Sequence, residues 1–556
     1  MSAAHQPAEP ATVLTTVLTN CTVVDGRVLD GVGPLPGAAI WVRGDRIAAV
    51  GPAAEVLAQA RAAGDVREID LAGAYVTPGL VNMHTHLSLS LPGQGGDAVR
   101  GMTPHELALY MADGARRTLL CGVTTVRCVA EKDHADFALR RAITSGRAIG
   151  PRIFTAGRAL VCTGGHGHEG TDTLECDGAD GFRQGVRSQV KAGADLIKVM
   201  ISGGIAGEHE AIHTRQLFTD ELAAVIETAH AWGRKVTAHA GPAPVIAEAV
   251  ELGLDCVEHG YQLTPEVAAQ MAERGTALVP TLLVTRCKEF FDELGVPEWM
   301  QCRSLGAGPR HLDSYAMAVE AGVEVLLGSD MPPFWGFEGT NASVRELEYM
   351  SEAGIGPARA LYAGTLGPVR WLGAEADLGT VEPGKYADLI AMDGDPLAET
   401  SAFRGVRWVM SGGQVVRDDR MGRGMGMTGE DAAAVVAAGI DDMYDAFLAG
   451  DRRRFDSHLH PEVTTWETHL PGPLRSRADL DAYRAQRDAA GAGPAPASLE
   501  ARDKRVDVWG DTAVARYVLV AAESAGGPAE HTRVTDVLRH SAGGWLIVHH
   551  HAELVP

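Results

Sequence analysis

Short apolar runs that end on polar, chemistry-bearing residues recur through the first two-thirds of the chain, with helix-periodic stretches between them. The first leads from Ala74 through Val81 to His84 and His86. Later ones are Asp195-Leu196-Ile197-Lys198-Val199, Lys235-Val236-Thr237-Ala238-His239, Asp255-Cys256-Val257-Glu258-His259-Gly260 and Val325-Leu326-Leu327-Gly328-Ser329-Asp330. Such runs predict β-strands. Between them, the segment from Thr219 predicts a helix, with Thr219 as N-cap and Leu222, Val225 and Ile226 as its apolar stripe. Polar residues at the C-terminal ends of strands that alternate with helices are what a (β/α)8 TIM barrel gathers on one face, so an α/β barrel is expected over residues 76–368.

The flanks read differently. Residues 12–75 carry short strand patterns broken by the turn signals Asp25-Gly26 and Gly44-Asp45, and strand patterns return at Ala387–Met392, Val406–Val409 and Gln414–Val416. Residues 12–75 and 369–420 are therefore expected to join in a composite β-sandwich beside the barrel. A Gly/Met-rich stretch, 421–429, reads as a linker. Beyond it, residues 430–556 begin with helical patterns, including a stripe of Val435, Ile440, Met443 and Phe447, and end in strands, which predicts a separate α+β domain.

Composition narrows the classes. A chain of 556 residues is long enough for roughly two to four domains. Its formal net charge of −23 argues against nucleic acid or an anionic membrane as partner. The 8 cysteines form no CxxC pair and read as reduced thiols. The polar Met1–Pro10 segment lacks the pattern of a secretory signal, and apolar runs are too short to span a bilayer, so a cytoplasmic protein is expected.

His84 and His86 stand two apart on a strand, so both side chains leave it on one side and can share a zinc ion. Lys198 interrupts an apolar strand, where an amine needs a partner or loses its charge. Its functional reading is a carbamylated lysine whose new carboxylate bridges two metals. Singly, each residue has an ordinary explanation: a core histidine, a paired amine, or, for Asp330, a helix N-cap. Together, His84, His86, Lys198, His239, His259 and Asp330, in this order on successive strands, describe a two-metal hydrolytic centre.

These residues and the motifs around them make the chain resemble the amidohydrolase superfamily of metal-dependent hydrolases. The carriers are Val76–His86, Gly122-Val123-Thr124-Thr125-Val126-Arg127, Ala194–Lys198, Val257–Gly260 and Gly379–Leu389, and the resemblance covers residues 14 to 418. Gly157-Arg158, Gly164-Gly165-His166-Gly167-His168 and Ser202-Gly203-Gly204 are most similar to the imidazolonepropionase-like and Xaa-Pro dipeptidase-like branch. The resemblance implies two divalent metal ions, with zinc expected. His84, His86 and Asp330 hold one, His239 and His259 the other, and modified Lys198 bridges them. It implies hydrolysis of an amide bond in a small-molecule substrate such as an N-acyl amino acid, dipeptide or cyclic amide. A metal-bridging hydroxide attacks, Asp330 moves the proton, and His166 or His168 helps to polarise the carbonyl.

Three positions depart from the branch. Asn82 stands where Asp is more usual and looks more like the mononuclear deaminases, which lack the bridging lysine. Gly241 replaces a Tyr or His that contacts substrate in many dipeptidase-like members, and Met331–Phe337 is unusually aromatic. A mononuclear deaminase of an aminoheterocycle and a non-catalytic scaffold are the alternatives. Residues 430–556 resemble the SnoaL-like/NTF2-like α+β cone, on the segments leading to Phe447–Asp451, Thr532–Leu538 and Gly544–His551. That resemblance implies an enzyme, a ligand pocket or a dimerisation module, and a homo-oligomer is expected, with this domain as a candidate for its interface. The run His549–His551 alternates faces on a strand, which favours a structural or pocket-lining role over metal binding.

Overall fold

The computed structural model describes residues 15–419 except Glu169, and residues 429–555 except 469–471, 473, 475, 490–495, 510, 511, 523, 525, 526, 542 and 543. Of the expected linker, 421–428 lie outside the described residues. The chain divides into two compact units, the first ending at Arg417 and the second beginning at Asp418.

Both flanks of the first unit enter one eight-stranded sheet. Thr15–Val23 pairs with Leu35–Arg43, which pairs with Arg46–Pro52; on its other side Thr15–Val23 pairs in parallel with Tyr75–Pro78. Tyr75–Pro78 then pairs antiparallel with Leu389–Met392, so residues more than three hundred positions apart become neighbours. Leu18, Ile40, Val76, Leu389 and the fully buried Trp408 share one core, which holds the two flanks together.

Between the flanks lies a mixed α/β body whose strands pair in parallel. Leu80–Thr85, Val123–Cys128 and Arg152–Thr155 form one set. Ala159–Val161, Ile197–Met200, Val236–Pro242, Cys256–Gln262 and Ala277–Val279 form another. Main-chain bonds connect the sets: Asp195 N donates to Thr155 O (2.8 Å), Leu326 N to Leu278 O (2.9 Å) and Met83 N to Leu327 O (2.7 Å). Helices separate successive strands, and their ends follow local chemistry. Helix Pro104–Leu120 starts with a proline and a reciprocal Thr103–Glu106 capping box, and Gly193, at φ 106°, ends Gly178–Ala192. The helix expected from Thr219 spans Thr219–Ala231, but Thr219 is its first helical residue, not its cap. The Thr219 hydroxyl donates to Glu248, and Glu221 accepts from Phe218 N at 2.8 Å.

The second unit contains helices Gly429–Leu448 and Arg477–Ala489 and a five-stranded sheet. Leu459–Glu467 pairs in parallel with Gly544–Leu554, and Ala529–Ser541, Thr512–Ala522 and Ser498–Trp509 follow as antiparallel neighbours. The buried stripe of the first helix is Val436, Ile440 and Met443, spaced i, i+4, i+7. Val435, expected in that stripe, is exposed because it lies about 100° off that face, whereas Phe447 continues the stripe one turn beyond Met443 and is 38% exposed near the end of the helix. All 8 cysteines are free thiols, and among the described residues no helix is long and apolar enough to cross a membrane.

Candidate active and metal site

The strand ends converge on a cavity of about 350 Å³ lined by His84, His86, Lys198, His239, His259 and Asp330. All six metal-site residues expected from the sequence are therefore brought together. Lys198, His239 and His259 stand inside strands Ile197–Met200, Val236–Pro242 and Cys256–Gln262 among buried Val, Ile and Ala neighbours, and His86 directly follows strand Leu80–Thr85. His259 and Asp330 sit at positive φ, 68° and 55°, conformations that cost non-glycine residues energy and cluster at functional sites.

The hydrogen bonds fix which imidazole nitrogens face the cavity. His84 donates from Nδ1 to Glu258 Oε2 (2.8 Å) and His86 from Nδ1 to Ala130 O (2.9 Å). Their Nε2 atoms lie 3.3 Å apart and 3.1 and 3.0 Å from Asp330 Oδ1. As neutral rings they would place two lone pairs and a carboxylate oxygen against one another, an arrangement that demands a cation. The same demand appears in His86: burial opposes its charge, but Asp330 more than offsets this and raises its pKa to about 9. Ligand atoms of His84, His259 and Asp330 lie within 4.8 Å of one another, a spacing one metal ion can span. The donor set of imidazole and carboxylate fits a divalent ion such as zinc.

His239 donates from Nε2 to Gly203 O (3.1 Å), and His259 Nδ1 hydrogen-bonds Thr281 Oγ1 (2.7 Å). Burial holds both rings well below the ordinary histidine pKa, aided for His239 by His166 and Lys198 and for His259 by His239. Neutral imidazole is the form that ligates metals. The rings of His239 and His259 are 4.6 Å apart. Lys198 is 1% exposed, and burial pulls its ammonium down to about 8 against the support of Glu258 and Asp330.

Behind these residues is a second layer that the sequence reading did not single out. Glu258, fully buried, accepts from His84, Arg127 and Thr237. Burial works against its charge, yet Arg127 and His84 hold the carboxyl far below its ordinary value. Glu131 accepts from Leu87 N (2.7 Å) and Ser88 N (2.9 Å) and so fixes the turn after His86. The available signal was an acidic residue inside an apolar strand next to a candidate ligand, as in Val257-Glu258-His259; its partner Arg127 is 131 positions away.

The two histidines of the glycine-rich loop part company. His166 lines the cavity, stacks on His239 (centroids 4.2 Å apart) and is held through Nδ1 by Glu210. His168 is exposed, bonds Gly165 O within its own turn (2.9 Å) and is not brought to the cavity. Asn82 donates to Ser329 Oγ (2.8 Å) and Ser343 Oγ (2.9 Å) and accepts from His84 N (3.1 Å). Ser329 already spends its proton on Met331 O, so an Asp at position 82 could not make the same bracket. At Gly241 a Cβ would lie 2.6 Å from both Ile212 O and Ile212 Cγ2, so no Tyr or His fits beside this segment. Of Met331–Phe337, only Met331 lines the cavity; Trp335 and Phe337 pack on Phe290. The apolar wall comes instead from Tyr261, Val284, Phe291, Trp299 and Met300.

Comparison with known proteins agrees with this geometry. The Amidohydrolase family profile matches residues 75–416, and a SnoaL-like domain profile matches residues 436–555. The chain is 28% identical to the ochratoxinase of Aspergillus niger over 463 residues, covering 76% of this chain and 91% of that one. It is 27% identical to an imidazolonepropionase of Symbiobacterium thermophilum over 391 residues, 66% of this chain and 86% of that one. A prolidase solved with N-methylphosphonate-L-proline superposes with a TM-score of 0.64 at 28% identity, over 73% of this chain and all of the other (100%). The chain belongs to the amidohydrolase family, as a hydrolase of amide bonds, and carries a SnoaL-like domain at its C-terminal end.

Proposed function

We propose that this cavity hydrolyses an amide bond of a small molecule with two divalent metal ions, zinc by donor type. His84, His86 and Asp330 would hold one ion and His239 and His259 the other, with carbamylated Lys198 between them. The observation that carries this reading is the approach of two imidazole Nε2 atoms to Asp330 Oδ1, at 3.1 and 3.0 Å, on a cavity wall shared with Lys198 and the second histidine pair. Divalent ions there supply an activated water and an electrophilic contact for a carbonyl oxygen. Asp330 takes the proton of the attacking water and delivers it to the leaving nitrogen. His166, held by Glu210, donates toward the carbonyl oxygen as negative charge develops on it. Glu258 and Arg127 fix the His84 ring so that its Nε2 stays turned to the cavity.

The apolar wall of Phe291, Trp299 and Met300 favours a substrate with a bulky apolar group beside the scissile amide. The parallel strand pairs and their linking main-chain bonds support a closed (β/α)8 barrel over 76–368. Pairing in the eight-stranded sheet supports a composite β domain from 12–75 and 369–420, leaving 430–556 as the SnoaL-like cone. The same reading includes a cytoplasmic homo-oligomer that pairs through the second unit, where Trp466 and Trp509 are 54% and 62% exposed.

Incubating zinc-loaded protein with N-acyl amino acids, dipeptides and cyclic amides, and measuring amine release, tests the proposal. At least one amide should turn over, with activity lost on chelation and restored by zinc. Ammonia release from aminoheterocycles alone, with one metal per chain and unchanged in Lys198→Ala, would instead establish a mononuclear deaminase.

A further inference from the structure

Helix Ala342–Met350 carries two fully buried polar side chains, Ser343 and Glu346, spaced i, i+3 and so on one face. Ser343 Oγ accepts from the Asn82 amide at 2.9 Å, and Asn82 accepts from His84 N at 3.1 Å. Glu346 reaches a different place, the turn after strand Ala277–Val279. Its Oε1 accepts from Leu282 N and its Oε2 from Leu283 N, both at 2.7 Å.

Those amides open the one-turn helix Leu282–Thr285, whose N-cap residue is Thr281. A threonine in that place ordinarily caps its own helix, its side-chain oxygen accepting from the second or third amide. Thr281 does not. Its side chain makes no capping bond, and its backbone sits in the left-handed region at φ 52°. The hydroxyl lies instead 2.7 Å from His259 Nδ1. With Nδ1 engaged, Nε2 is the nitrogen that His259 keeps for the cavity. The His259 main chain is held separately, by His311 Nε2 donating to its carbonyl at 3.1 Å.

Glu346 is fully buried, and among the described residues no lysine or arginine pairs with it. A buried carboxylate without a counter-cation is a costly cap for one turn of helix, and the Thr281 hydroxyl could do the same locally. A left-handed threonine is also retained only where its surroundings over-determine it. Both costs have one explanation: the Thr281 hydroxyl is needed at His259.

We infer that Glu346 is a positioning residue for the hydrolytic site, capping helix Leu282–Thr285 from a distance and so freeing the Thr281 hydroxyl to orient the His259 ring. It does not line the cavity and acts through Thr281. The inference rests on the proposed role of His259 as a metal ligand.

Zinc titration of the full chain against a competing chelator, with crystal structures of the metal-free variants, tests it. Thr281→Val should weaken the zinc ion at His239 and His259 by about 10–100-fold. Glu346→Gln, which keeps the volume but offers one acceptor oxygen, should do the same. The double variant should lose no more than about threefold beyond the worse single variant, because both act on one contact. In metal-free Glu346→Gln the Thr281 hydroxyl should leave His259 Nδ1 and turn back onto its own helix. Glu346→Asp, whose carboxylate falls one methylene short, gives the same readouts should Glu346→Gln not fold, and thermal unfolding verifies each variant. Zinc affinity unaltered by Glu346→Gln, losses that multiply in the double variant, or a Thr281–His259 bond that survives in the metal-free variant would overturn the inference. A parent chain that binds one zinc ion would refute the two-metal reading, and the metal-free structures would still decide for or against Glu346.

Discussion

In the first unit, Glu258 is sealed against the guanidinium of Arg127 and passes its influence to one ring, His84. In the second, Asp536 is equally sealed but, among the described residues, is met by a phenol and an imidazole. A guanidinium does not release its proton, so Glu258 is a permanent anion that sets the orientation of a metal-facing histidine. Hydroxyl and imidazole protons can be rearranged, so this carboxylate is not met by a fixed opposite charge. The same cost of burying a carboxylate is met by a fixed charge in the first unit and by adjustable donors in the second.

Breaking the first arrangement should have the larger consequences. Lys198→Ala should lower amide hydrolysis by roughly three orders of magnitude and reduce bound metal, because the bridging group between the two histidine pairs is lost. Metal analysis alongside single-substrate kinetics checks both; near-normal turnover with two metals bound would refute the bridge. Asp330→Asn should come next, cutting kcat by about 10²–10⁴-fold through loss of proton transfer, with a much smaller change in KM. A change confined to KM would make Asp330 a positioning residue only.

Smaller effects sharpen the contrast between the two carboxylates. Glu258→Gln strands the Arg127 charge in the interior and should destabilise the metal-free protein by about 3–5 kcal/mol in denaturant unfolding. Tyr517→Phe removes one neutral donor from Asp536 and should cost only about 1–3 kcal/mol, confined to the second unit's transition, with hydrolysis intact. Equal costs for the two substitutions would erase the distinction between the two carboxylates.

The sequence made the ligands legible because each stands in or just after an apolar run, where a polar residue stands out against its neighbours. The supports of those ligands were less visible. Arg127 and Glu258 sit in quoted motifs, yet their pairing joins strands 131 positions apart, and nothing local announces it. His166 and His168 look equivalent as text. The stacking of His166 on His239, and the local turn bond that keeps His168 at the surface, separate them only in three dimensions. The aromatic run after Asp330 fits a core patch or a pocket wall equally as text; Trp335 and Phe337 turn to Phe290, and the cavity wall is drawn from Tyr261, Phe291 and Trp299 on other elements. Asn82 and Gly241 read as departures until their neighbours were known: a bracket to two serines and a close approach of the Ile212 backbone. In the second unit, Asp536 lay inside a strand pattern, and its burial against Tyr517 and His550 depends on sheet register.

The central claim is a pair of metals joined through Lys198, and anomalous diffraction from crystals of the zinc-loaded protein tests it most directly. Data recorded on either side of the zinc absorption edge should show two peaks about 3.5–4 Å apart, one at His84, His86 and Asp330 and one at His239 and His259, with density for a carboxylate on the Lys198 amine. A single peak beside an unmodified Lys198 would contradict the account.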